Sequence, residues 1–249
     1  MNEQFSIKDI LGTAWHIAKK NVWIIMGFTA IQFMVLALIY LGLSFTGPSG
    51  AVILELVKAF FMVVICLIFF NLIDEEGDPT FPDFLPSAIK TLKFFAADVI
   101  IKVMMIVVIL LTTTLYLAIF PIDQSILKQL SMKNIPTEVI PLLISAVLIP
   151  IIFFTVKTWF VICCIIDQDS GIIESIKQSW TLTKGHFWFL LLLFLVIFGL
   201  NILGAMAFFV GLLFTFPLSI IILLVTYRQM VNSHYADEDD VYLENTDQE

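Results

Sequence analysis

Residues 187–227 read FWFLLLLFLVIFGLNILGAMAFFVGLLFTFPLSIIILLVTY, forty-one positions without one Asp, Glu, Lys or Arg. A membrane helix needs only about 20 mostly apolar residues to cross roughly 30 Å of hydrocarbon. The stretch is too long for one helix and divides into two, with the tight turn between Gly204 and Gly211. The rest of the chain has the same character. Of its 249 residues 60% are hydrophobic and 14% charged, with a mean hydropathy of +1.01. A soluble domain runs about 45–50% apolar and about a quarter charged. The polar residues available here could not cover a globule, so a water-soluble fold is excluded. With 24 phenylalanines against 11 glycines, the chain is neither disordered nor of low complexity.

Toward the N-terminus the same reading gives four more spans, over about 138–166, 96–120, 51–73 and 22–45. The turn TGPSG at 46–50 separates the first two. The expected fold is an all-α membrane protein with six transmembrane helices in a single domain over 1–235, followed by an acidic, disordered tail over 236–249. Lysines near span ends set the orientation. Lys8, Lys19, Lys20, Lys90, Lys93, Lys177, Lys184 and Arg228 fall on one side, and only Lys128 and Lys133 on the other. Both termini are therefore expected in the cytoplasm.

The net charge of −8 misleads about partners. Seven carboxylates crowd into residues 237–249, and without them the body is nearly balanced. No basic patch with interleaved aromatics supports nucleic-acid binding. Cys66, Cys163 and Cys164 lie in apolar runs and read as small buried hydrophobes, an odd set that makes no disulfide framework. Glu3, Lys8, Asp9, Lys19 and Lys20 interrupt the N-terminus, so it does not read as a cleavable signal peptide.

The segments on the lysine-rich side align threefold. SIKD at 6–9, TFPD at 80–83 and GIIE at 171–174 each begin with a good N-cap residue and carry an acid three positions on. Leu11, Leu85 and Ile176 then coincide, as do Trp15, Ile89 and Trp180, and Lys19, Lys93 and Lys184. Each copy reads as a short amphipathic helix. In the first, Ile7, Leu11, Ala14 and Trp15 share a face; in the third, Ile172, Ile173, Ile176 and Trp180 do. Such a helix is expected to lie in the membrane interface, with tryptophan at headgroup depth and lysine toward phosphate. Trp15, Lys19, Lys93, Trp180 and Lys184 are the expected lipid contacts. An interfacial helix followed by a hairpin makes three parallel repeats, over about 1–75, 76–167 and 168–235.

The third copy also carries a resemblance. DQDSG at 167–171, SWTLTKG at 179–185, the apolar span that follows, Gly211, Pro217 and the pair Tyr227-Arg228 resemble a bacterial membrane family. That family includes the membrane domain attached to some glycerophosphodiester phosphodiesterases and the YciC-like inner-membrane proteins. The likeness is sharpest over about 165–230, and the six-span plan fits the whole chain. It implies a place in the bacterial cytoplasmic (inner) membrane and no particular activity. Phosphodiesterase chemistry in that family belongs to a separate soluble barrel that these residues do not contain.

Charges inside spans are functional candidates by default. Glu55 and Lys58 lie three apart on the second span, Asp98 and Lys102 four apart on the third, and Lys157 alone on the fourth. One reading is a polar path or lipid-headgroup site. The other is snorkelling side chains and self-neutralised pairs, which suits the two pairs better. Lys157 has no local partner and stands first as a candidate, with Glu55 or Asp98 as the acid to neutralise it. Gln32 and Asn201 read as interhelical hydrogen bonders. His16, His186 and His234 are far apart in sequence and suggest no metal site. No nucleophile elbow, P-loop or paired-acid motif occurs. The expectation is a non-catalytic integral membrane protein, without cofactor, that organises or supports a membrane or lipid-related process. Membrane lipids are its expected partners, with a protein partner at the acidic tail. The alternative is a transporter or lipid-handling protein that uses the intramembrane charges.

Overall fold

A computed structural model describes residues 6–43, 48–74, 86–119, 139–207 and 210–246. Among these the ordered elements are all helices: α1 (Ile7–Lys20), α2 (Val22–Leu43), α3 (Pro48–Asp74), α4 (Ala88–Ile119), α5 (Val139–Lys157), α6 (Val161–Asp167), α7 (Ile172–Leu182), α8 (Phe187–Met206) and α9 (Leu212–Thr246). Six segments are long and apolar enough to cross a membrane: Val22–Leu43, Ser49–Asp74, Ala88–Tyr116, Ile144–Asp167, Phe187–Met206 and Leu212–His234. Helices prevail because hydrocarbon offers no hydrogen-bond partners, so each segment must satisfy its own backbone. Fold and composition together define the class, a helical membrane protein.

The stretch that decided the fold divides where the glycines allow it, between α8 and α9. A Cβ on Gly211 would lie 2.6 Å from the Gly204 carbonyl oxygen and 2.7 Å from its Cα. Only glycine permits that approach of two backbones. Farther along the same pair, Asn201 Nδ2 donates to Ser219 Oγ at 2.7 Å, the interhelical bond expected of it.

Helix α9 is the hub of the core, packing on α1, α2, α3, α7 and α8. Ile221, Ile222, Leu224 and Tyr227 meet Ile65, Cys66 and Phe69 of α3, Cys163 and Cys164 of α6, and Leu190 and Leu193 of α8. The third span is the opposite case, with only 6% of its most apolar window buried. Beyond its span α9 continues to Thr246. The acidic stretch expected to be disordered is therefore helical over 236–246, as a continuation of a helix already nucleated.

The fourth span is two helices, a break that hydropathy does not reveal. Val161 N–H turns back to the Thr158 carbonyl, leaving the Lys157 carbonyl and the Phe160 N–H without helical partners. Ser179 of α7 fills both places. Its Oγ donates to the Lys157 carbonyl at 2.8 Å and accepts from Phe160 N–H at 3.3 Å. Pro150 makes a second gap by denying the Ala146 carbonyl its donor, and Thr112 Oγ1 of α4 lies 3.1 Å from that oxygen.

Short helices precede the first and fifth spans, as α1 and α7. Before the third span, where the second copy was expected, residues 88–93 are the first turns of α4, continuous with the span; residues 75–85, which include Leu85, lie outside the described residues. Trp15 and Ile173, on the faces expected toward the membrane, are exposed, while Ile7, Leu11, Ile172 and Ile176 pack partly against the core. In α1 the buried side is Ile10, Ala14 and Ala18. In α7 it is Ser175 and Ser179, while Ile173 is exposed. Apolar periodicity marks the protein-facing side only in water. In a membrane, small residues turn inward and bulky apolar ones face lipid.

Candidate functional site

The two charge pairs expected to neutralise themselves form one network. Glu55 accepts from Lys58 Nζ at 2.8 Å, one turn apart on α3. Asp98 accepts from Lys102 at 2.7 Å on α4, and Lys102 Nζ also reaches Glu55 Oε2 at 3.0 Å. Lys102 thus ties α4 to α3. Two cations and two carboxylates cancel in sum. Their side chains remain 34–49% exposed, so the network is not sealed between helices.

It borders a cleft of about 320 Å³ whose other walls are Phe33 and Leu36 of α2, Met62 of α3, Phe94 of α4 and Phe216 of α9. A second hollow of about 220 Å³ shares Glu55, Asp98 and Lys102 and is otherwise lined by Ala51, Val52, Phe95 and Val99. Gln32 also lines the larger cleft. It is 5% exposed, and its Oε1 has no partner among the described residues. The expected interhelical bond is therefore seen for Asn201 and not for the Gln32 carbonyl. A buried acceptor left unpaired is costly, about 1–3 kcal/mol.

Lys157 finds no acid among the described residues. It ends α5, donates to the Thr183 carbonyl at 3.3 Å and stands 6.0 Å from the centre of the Trp180 ring. Neither Glu55 nor Asp98 neutralises it, because both are engaged in the α3–α4 network. Its position at a helix C-terminus suits a cation without a carboxylate.

The expected lipid contacts separate. Trp15 is 52% exposed and meets Phe214 edge-on at 5.5 Å. Trp180 packs edge-on against Phe153 and Phe154, at 6.0 and 6.1 Å, with its Nε1 buried and without a partner among the described residues. Lys19 and Lys184 are exposed. Lys93 instead holds the loop after α6, bonding the Asp169 carbonyl and carboxylate at 3.1 Å each. That bond and the lysine's charge hold the Asp169 carboxyl below its ordinary range. Lys90 adds a bond to the Ile166 carbonyl at 2.9 Å.

A further constellation was not singled out from sequence. Arg228 of α9 donates from Nη1 to Asp167 Oδ1 at 2.8 Å and from Nε to Asp74 Oδ1 at 3.2 Å. Its second fork nitrogen completes a bidentate grip on Asp74. Tyr227 OH donates to the other Asp167 oxygen at 2.9 Å, and Gln168 Nε2 donates to that hydroxyl at 3.3 Å. The guanidinium lies 4.8 Å from the Phe70 ring centre. This clasp joins the ends of the second and fourth spans to the sixth. Its signal in the sequence is the Tyr227-Arg228 pair.

Comparison of the chain with family models, with curated proteins and with solved structures finds no match.

Proposed function

We propose that this chain is a non-catalytic membrane protein that binds lipid at the cleft between α2, α3 and α4, supporting a membrane or lipid-related process through that contact. The observation that carries the reading is the neutral four-charge network within two spans, half exposed on an apolar cleft. Charged side chains within spans are expensive even when paired, and they mark candidate sites. A network serving only to hold helices together would gain by being buried between them. This one keeps donors and acceptors turned toward the surrounding membrane.

The lysine distribution supports placing both termini in the cytoplasm, the resemblance over 165–230 supports a bacterial inner membrane, and the threefold alignment of 6–9, 80–83 and 171–174 supports three parallel hairpin repeats. A transporter would be favoured by the broken fourth span, since discontinuous helices often form transport sites. Here Ser179 already occupies the polar groups freed by the break, so the lipid-binding reading is preferred.

Native mass spectrometry of gently solubilised protein tests it. Wild type should retain a bound phospholipid. Lys58→Leu should lose it and still fold, because the Lys102 bridges remain. A wild-type protein that retains no lipid, or a Lys58→Leu protein that retains as much, would overturn the assignment.

A further inference from the structure

A second cleft lies where α7 and the link from α7 to α8 face the end of the sixth span on α9. One hollow of about 350 Å³ is lined by Lys184, His186, Ser233 and His234 and by no carboxylate among the described residues. Another of about 320 Å³ shares Thr181 and His234 with it and adds Glu174, Lys177 and Gln178. Both fall within the sizes of small-molecule sites, about 300–1,000 Å³. Neither shares a residue with the α2–α4 cleft. We propose that this cleft binds a phosphate group, carried by a soluble phosphate ester or by a phospholipid headgroup.

The first reason is unmatched charge. Elsewhere cations and carboxylates meet: Arg228 with Asp74 and Asp167, Lys93 with Asp169, and Lys102 with Glu55 and Asp98. Here Lys177 and Lys184 line the cleft, both exposed, and neither has a carboxylate partner among the described residues. Glu174 is committed to the start of its own helix, where Oε2 accepts from Gly171 N–H at 3.3 Å. Lys157 adds a cation close enough to Lys184 for the two charges to repel. An anion relieves that repulsion.

The second reason is the kind of donor. No arginine lines either hollow. A carboxylate is matched best by the planar guanidinium fork, whereas lysine meets phosphate as a point charge. Each lysine brings three N–H donors on a long flexible stem. The basic side chains also come from three separate segments. Lys177 stands on α7, Lys184 and His186 on the link, and His234 on α9. Tetrahedral phosphate oxygens point in several directions and suit donors on several walls. Gly185 sets two of them, since its φ of 86° makes the turn that leaves Lys184 and His186 on one hollow.

The chain as a whole is acidic, at −8, and Asp237 to Asp240 follow soon after His234. Its overall field does not gather anions, so saturable phosphate binding reports direct contact with these side chains.

Thermal unfolding of the detergent-solubilised full chain, in sodium phosphate against sodium chloride at matched pH and ionic strength, tests the proposal. Inorganic phosphate should raise the midpoint saturably and chloride should not. Lys184→Gln should weaken the response on the order of tenfold, the size of one hydrogen bond to a charged group. Lys184→Arg, which keeps the charge, should retain most of it, and Lys8→Gln, which removes a charge that lines neither hollow, should change nothing. Native mass spectrometry assigns the source. A phospholipid kept by wild type and by Lys58→Leu but lost from Lys184→Gln makes the phosphate a headgroup; a phosphate response without such a lipid makes it a soluble ester. A response no larger than that to chloride with no Lys184-dependent lipid, or a response unchanged in Lys184→Gln, would overturn the proposal. The α2–α4 reading is decided separately, by Lys58→Leu.

Discussion

Arg228 offers the sharpest test of how the spans are held. Replacing it with Met keeps most of the stem and removes the guanidinium from over the Phe70 ring, leaving Asp74 and Asp167 without their cation. The three side chains are 20–30% exposed, intermediate between surface and core. A surface pair is worth about 0–1 kcal/mol, and breaking a buried one costs about 3–5 kcal/mol. The expected loss lies between, about 2–3 kcal/mol. At about 2–4 °C per kcal/mol for a chain of this length, the unfolding midpoint should fall by roughly 5–10 °C. Thermal denaturation in detergent, followed by tryptophan fluorescence, measures it. Adding Asp74→Asn to Arg228→Met removes one stranded carboxylate, so the double variant should lose less than the two single losses summed. Strict additivity, or an Arg228→Met midpoint within 1 °C of wild type, would refute the clasp.

Gly211→Ala should destabilise by about 1–3 kcal/mol, because the added Cβ would meet Gly204 backbone that cannot swing aside; the same thermal assay reads it. Ser179→Ala strips both bonds from the break in the fourth span, and a loss of about 1–3 kcal/mol is expected, with faster amide exchange at Phe160 as the local signature. The Asp169–Lys93 contact should be pH-dependent in one direction. Because the folded carboxyl lies below its ordinary value, its stabilisation is complete above the unfolded value near pH 4 and is lost as pH falls through the lower folded one. NMR titration should show Asp169 protonating later, on acidification, than the same residue in Lys93→Met.

The spans were legible because spanning is a local property. Whether about 20 residues can lie in hydrocarbon depends on those residues alone, and all six candidate spans fall where apolar runs had been read. The α8–α9 turn was legible for a related reason, since Gly204 and Gly211 are where two backbones can touch. Contacts within one helix followed as well: Glu55–Lys58 and Asp98–Lys102 are set by helical spacing. The bridge from Lys102 to Glu55 joins residues 47 apart, and the Arg228–Asp74 contact joins residues 154 apart. No periodicity specifies such meetings. They depend on how one helix is rotated against another, and in a membrane the hydrophobic pattern that would fix that rotation in water is lost. Lipid is as apolar as leucine, so packing is decided by small residues, by unmet backbone groups and by buried polar contacts. That is why Ser175 and Ser179, rather than Ile173, face inward on α7. It is also why Lys157, the strongest candidate from sequence, stands beside Trp180 and the Thr183 carbonyl instead of an acid. Only the tertiary structure brought four charges from two helices to the edge of one apolar cleft.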